Sequence, residues 1–156
     1  MGFLLVATKN LNGTQSFERT IVFLLKVGFS DLKEGAFGVI LNCPFQRCIK
    51  DMEPFNSYFL TVFIDSPLHF GGFLEASMLL LTIGENVVID FDEGIPGFCY
   101  GARNNLHSTT KLVRNEVLQP KNSMFFLRYA SCEFNQLKEE LSLDYYCVAR
   151  FQPQSN

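Results

Sequence analysis

The sequence of 156 residues has no tryptophan, only two histidines and no excess of positive charge. Thirteen Lys and Arg stand against sixteen Asp and Glu, a formal net charge of −3. Binding to a phosphate backbone needs a basic footprint, so direct nucleic-acid binding is not expected. No apolar run approaches the ~20 residues of a membrane-crossing helix. The longest, such as Ile21-Val22-Phe23-Leu24-Leu25 and Met78-Leu79-Leu80-Leu81, have the length of buried strands, and no membrane partner is expected. The apolar N-terminal stretch Met1–Thr8 has no basic segment before it, as a secretory signal requires, and Val6 stands where a myristoylation signal wants Ser or Thr. No Cys-x-x-Cys, Gly-x-Ser-x-Gly, phosphate-binding loop or dinucleotide fingerprint occurs. Redox, hydrolase and nucleotide-dependent readings lose their usual support, and no cofactor is implied.

What is present is material for one core. Apolar residues make up 47% of the chain and charged ones 19%, which excludes a disordered chain or polar linker. A chain of ~150 residues buries about 70% of its unfolded surface. Residues 1–151 read as a single domain, without repeats or internal linkers, and 152–156 as a frayed polar tail.

Phe3–Thr8, Thr20–Val27 and Ala36–Leu41 read as strands of an antiparallel meander, separated by Lys9–Gly13 and Gly28–Gly35. Phe45, Cys48, Ile49 and Met52 fall at helical spacing and predict one or two helical turns ended by Pro54. Further strands are predicted over Tyr58–Ile64, Met124–Tyr129 and Tyr145–Phe151, with a hairpin of Ala76–Ile83 and Val87–Asp90 around Gly84-Glu85-Asn86. One helix, capped by Asn105 or Ser108, carries Leu112, Val113 and Val117 toward Pro120; another spans Asn135–Leu141 with Asn135 as its cap. Strands dominate and short helices interrupt them irregularly, which predicts an α+β fold rather than a doubly wound sheet.

Five cysteines, an odd number among apolar neighbours, suit buried thiols in a reducing intracellular compartment better than a disulfide framework. Cys43 and Cys48 lack the two further ligands a zinc site needs, so no metal is expected. His69, beside Phe70-Gly71-Gly72, reads as a surface imidazole at a turn, although the glycines also permit close backbone approach to a ligand. Glu139 and Glu140 point to different helix faces and read as solvated. Arg19 can grip a carboxylate at the entrance to the second strand, with Thr20 completing the turn; alternatively it pairs with an acidic residue to fix that strand. Asn42 reads as the residue that ends the third strand by bonding to turn backbone.

In order, Gly2-Phe3-Leu4-Leu5-Val6-Ala7-Thr8, Phe17-Glu18-Arg19-Thr20-Ile21-Val22 and Gly35-Ala36-Phe37-Gly38-Val39-Ile40-Leu41-Asn42 form a pattern that continues through Pro44, Phe70-Gly71-Gly72, Tyr129-Ala130 and Gln136-Leu137-Lys138-Glu139-Glu140-Leu141. Over essentially its whole length the chain resembles the AlgH/YqgE-like family. The resemblance implies an α+β domain whose mostly antiparallel, bifurcated sheet forms a flattened pseudo-barrel with short flanking helices. It implies no established enzyme activity, and some bacterial relatives are described as regulators of gene expression. Departures are Cys43 for a usual basic residue, Phe73 for a usual Pro, and Ser131-Cys132-Glu133-Phe134-Asn135-Gln136-Leu137 for Gly-Trp-x-Pro-Gly-Gln-Leu. The expectation is therefore a divergent, non-enzymatic interaction or regulatory module with a protein or small-molecule partner. The alternative is a small-ligand binder or enzyme using the Arg19/Asn42/Gly71-Gly72 region. Arg19, Thr20, Asn42, Gly71, Gly72 and Gln136 are its candidate ligand or interaction residues, and no catalytic residue is proposed.

Overall fold

The computed structural model describes residues 2–11, 17–28, 35–52, 62–75, 78–84, 92–102 and 105–151. Its strands are β1 (Gly2–Ala7), β2 (Ile21–Lys26), β3 (Ala36–Ile40), β4 (Pro44–Cys48), β5 (Pro67–Phe70), β6 (Leu79–Ile83), β7 (Asp92–Ile95), β8 (Phe98–Ala102), β9 (Ser123–Leu127), β10 (Ala130–Cys132) and β11 (Tyr146–Phe151). The helices that lie wholly among the described residues are α1 (Leu106–Arg114) and α2 (Phe134–Ser142). The strands form two open sheets, ordered β10-β3-β2-β1-β11 and β4-β5-β9-β6-β8-β7. Every pairing of these strands is antiparallel except β5 with β9. The α+β class and the meander of the first three strands hold.

The apolar runs that lack alternation are strands buried on both faces. In β2, Phe23 and Leu25 face the interior between the sheets with Val39, Leu81, Phe98 and Phe126, while Val22 and Leu24 face outward onto Leu137 of α2. In the second sheet, Leu79 and Leu81 face the shared interior, while Leu80, Leu68 and Phe125 pack beneath Leu106 of α1. The layers therefore run α1, six-stranded sheet, five-stranded sheet, α2. Full burial of one such Leu or Phe side chain is worth about 1.5–3 kcal/mol.

The sheets branch from one another at Gly71. Its N–H donates to Leu127 O of the second sheet at 2.8 Å, and its carbonyl accepts from Ile40 N of the first, also at 2.8 Å. A Cβ on Gly71 would lie 2.5 Å from Arg128 O, and one on Gly72 would overlap the Tyr129 carbonyl. The double glycine thus admits a second backbone. Close approach rather than positive φ is its reason, since the positive-φ glycines are Gly28 and Gly97.

Several expectations change. The helical turns placed over Phe45–Met52 are mostly strand: β4 pairs with β5 through a bulge, and only Ile49–Asp51 forms a 3-10 turn, with Asp51 Oδ2 accepting from Cys48 N. Ile49 is buried and Met52 packs against the same core, as a helix would have placed them, whereas Phe45 is exposed. Of Tyr58–Ile64, the part from 58 to 61 lies outside the described residues, and Val62-Phe63 is helical rather than extended. Val87–Asp90 also lies outside them, and both sides of β6 are taken, by β8 and β9. The β7–β8 hairpin was not expected; it turns at Pro96-Gly97, with Gly97 at φ 83°. α1 stops at Arg114 because Glu116 turns left-handed at φ 60°, leaving Val117 outside the helix. Asn105 stands at its N-cap, but its Oδ1 accepts from Ala102 N behind it. α2 begins at Phe134 with Glu133, not Asn135, at the N-cap. His69 lies in β5, half-buried, its ring 5.5 Å from that of Phe126, and is no surface turn residue. The thiols are less buried than expected: Cys99 is buried, Cys43, Cys48 and Cys132 are half-buried, and Cys147 is exposed on β11, because edge strands and sheet ends give a small side chain little cover.

Candidate functional site

α2 leans across the outer face of the five-stranded sheet with Leu137 buried and Leu141 beside it. It ends where Asp144 turns left-handed at φ 54° and Tyr145 N donates to Glu140 O, a Schellman-type stop that feeds the chain directly into β11. Thr8 Oγ1 donates to Asp144 O and fastens this turn to the end of β1. Between helix and sheet lies a cleft of about 230 Å³, with Leu5, Leu11, Val22, Leu24, Ala36 and Leu137 as its apolar wall.

Polar groups converge on the same cleft from α2, β10 and β11. Gln136 and Glu140 lie one helical turn apart, and Gln136 Nε2 donates to Glu140 Oε1 at 2.9 Å. Cys132 and Tyr146 complete the wall. Burial first, and then the charge of Glu140, pushes the Cys132 thiol up from its ordinary range. The same two causes, with Cys132 adding a smaller contribution, push the Tyr146 phenol up to about 12. At neutral pH both are held protonated, as hydrogen-bonding groups rather than nucleophiles.

The AlgH-like family profile matches residues 4–155. The chain belongs to the AlgH-like family. A UPF0301 protein of Chlorobaculum parvum is 35% identical over 142 residues, covering 89% of this chain and 68% of that protein. One from Rickettsia canadensis is 25% identical over 156 residues, covering 94% of this chain and 75% of its own. The solution structure of the AlgH protein of Pseudomonas aeruginosa superposes with a TM-score of 0.67 at 18% identity, covering 97% of this chain and 77% of that one. A Corynebacterium diphtheriae crystal structure gives 0.73 at 19%, covering 97% and 76%. At these identities the two structures establish the shared fold.

Within this AlgH-like fold the six sequence-derived candidates divide into two groups. Arg19, Thr20 and Asn42 form one knot: Arg19 is left-handed at φ 58°, Asn42 Nδ2 donates to its carbonyl, and Asn42 Oδ1 accepts from Ile21 N, both at 2.8 Å. Thr20 Oγ1 donates to Phe17 O at 2.7 Å. The Arg19 side chain is exposed and makes no ion pair among the described residues, so the expected carboxylate partner is replaced by a backbone role. Gly71 and Gly72 lie nearby, and the Phe17 and Phe73 rings meet at 4.9 Å across the gap between knot and loop. Only Gln136 of the six lines the cleft under α2.

Sequence reasoning missed Cys132, Glu140 and Tyr146 as cleft residues. Glu140 was read as solvated, yet it is half-buried; the helical spacing Gln136-x-x-x-Glu140 was the available signal. A second cleft, of about 610 Å³, is lined in part by His69, Ser123 and Lys121. His69 Nδ1 and Ser123 Oγ are buried there without a partner, and the cleft has room for a bridging water.

Proposed function

We propose that this AlgH-like domain is a non-enzymatic binding module whose recognition site is the cleft between α2 and the five-stranded sheet. One observation carries the reading: an apolar cleft of about 230 Å³ on which a few polar groups converge from α2, β10 and β11. An apolar pocket with a few convergent polar groups is the general form of a small-ligand site. An engineered cavity of roughly 150 Å³ accepts benzene, so this cleft has room for a group about half as large again. The protonated state of Cys132 and Tyr146 favours binding over nucleophilic chemistry.

In this proposal the Arg19–Thr20–Asn42 knot and Gly71-Gly72 hold the frame, and Gln136 alone of the six touches ligand. Residues 1–151 act as one domain, supported by β1 pairing with β11 from opposite ends of the chain. No helix among the described residues is long and apolar enough to cross a membrane. The five free thiols fit a reducing compartment, and the net charge of −3 places nucleic acid outside the proposal.

The test is titration of ¹⁵N-labelled protein with 2-phenylethanol, followed by amide shifts. Shifts confined to β1, β2, β3, β10, β11 and α2 are expected, and they disappear in Ser131→Phe, which fills the exposed cleft mouth. Shifts scattered over the surface, or none at millimolar ligand, refute the site.

A further inference from the structure

We propose that the cleft under α2 selects amine ligands, an aromatic or alkyl body carrying a primary ammonium group, through the Glu140 carboxylate. The inference rests on the binding-module reading and adds the charge and chemical class of the ligand.

Glu140 is a half-buried carboxylate at the edge of an apolar space. Its Oε1 accepts from the neutral amide of Gln136, and no described residue donates to Oε2. It forms no ion pair among the described residues; the nearest cation along α2, Lys138, lies over the Phe134 ring at 5.8 Å. None of the described lining residues is Lys, Arg or His. Among the described residues, therefore, the cleft holds one negative charge and no compensating positive one.

A carboxylate beside apolar surface attracts a cation, and a ligand that brings one forms a charge-assisted hydrogen bond with it. The charge of Glu140 is felt across the cleft, since it acts on both Cys132 and Tyr146. An ammonium placed on the same wall meets that field with opposite sign. It also offers three donors to Glu140 Oε2, the Tyr146 hydroxyl oxygen and the solvent at the mouth. Carboxylates, phosphates and sulfonates meet the field with the same sign. The apolar wall of Leu5, Val22, Leu24 and Leu137 requires the rest of the ligand to be hydrocarbon. At about 1.5 times the size of benzene, a phenylethyl body matches the volume.

The experiment compares 2-phenylethylamine, 2-phenylethanol and phenylacetate by amide-shift titration at pH 7 and low salt, on the full chain. The amine binds about tenfold tighter than the alcohol, as a charge-assisted contact would give, and phenylacetate binds weaker than either. In Glu140→Gln, checked by thermal melting, the amine and alcohol become equal. On the unmodified protein the amine preference shrinks as salt is raised to 0.5 M, which needs no variant to fold. Equal binding of amine and alcohol, tightest binding of phenylacetate, or a preference that survives Glu140→Gln overturns the amine assignment and leaves the cleft reading standing. Failure of all three to shift the cleft amides overturns both.

Discussion

Gly72→Ala isolates the contact that joins the two sheets. The added methyl would occupy the space of the Tyr129 carbonyl and approach Ala130 N, both backbone atoms of the connection from β9 to β10. No rotamer change relieves such a clash, so the two strands must separate. Overpacking of this kind costs about 1–3 kcal/mol. Separation also strains the Gly71 bonds to Leu127 and Ile40 and the Leu74–Tyr129 bridge, worth about 1 kcal/mol each. A total of about 5 kcal/mol corresponds to a melting point lower by roughly 10–20 °C, at 2–4 °C per kcal/mol for a chain of this size. Urea titration followed by circular dichroism reads the same loss as a lower midpoint at similar slope. Gly84→Ala is the internal control: no described atom lies within 4 Å of its Cβ position and its φ is not positive, so it stays within 1 °C or rises slightly. A Gly72→Ala protein as stable as Gly84→Ala would refute the close-approach argument.

The knot and the cleft each give two further outcomes. Asn42→Ala removes both bonds that lock the Arg19–Ile21 turn and lowers stability by about 1–2 kcal/mol in urea; Arg19→Gly, which relieves φ 58° at an exposed position, raises it by up to about 1 kcal/mol. If Arg19→Gly were strongly destabilising, its side chain would have a role the geometry does not provide. Absorbance titration, compared with that of Tyr146→Phe, finds Tyr146 ionising near 12. Because its folded value lies above its unfolded value of ~10 and its neutral form is the protonated one, the associated stability is present below pH 10 and lost as pH rises from 10 to 12. Glu140→Gln lowers this value but leaves it above 10, since burial is the larger cause; a fall to 10 would refute that ranking.

The strands of the double core were legible because burial on both faces asks only for apolar residues, without phase. Ile21–Leu25 and Met78–Leu81 meet that demand wherever they pair. Helical residues at Leu112, Val113, Leu137 and Leu141 were legible for a similar reason, since a 3.6-residue stripe is a local property. Phe45–Met52 was misread because Ile49 and Met52 pack inward from a 3-10 turn as they would from a helix, while Phe45 is exposed on a strand; the pairing of β4 with β5 decided between them. The polar stretch Asp92–Gly97 hid a hairpin whose marker was Pro96-Gly97.

Gly71-Gly72 announced in the sequence that something comes close, but a glycine does not say what. That the neighbour is the Tyr129 backbone depends on β5 lying parallel to β9, a contact between segments more than fifty residues apart. The cleft was less legible still. Leu5, Leu24, Cys132, Glu140 and Tyr146 belong to four strands and a helix, and nothing in the local spacing relates them. Apolar pattern, turn chemistry and helix phase act over a few residues, so they can be read along the chain. The cleft and its lone carboxylate exist only where packing of α2 on the five-stranded sheet brings distant residues within reach of one another and takes them partly out of water.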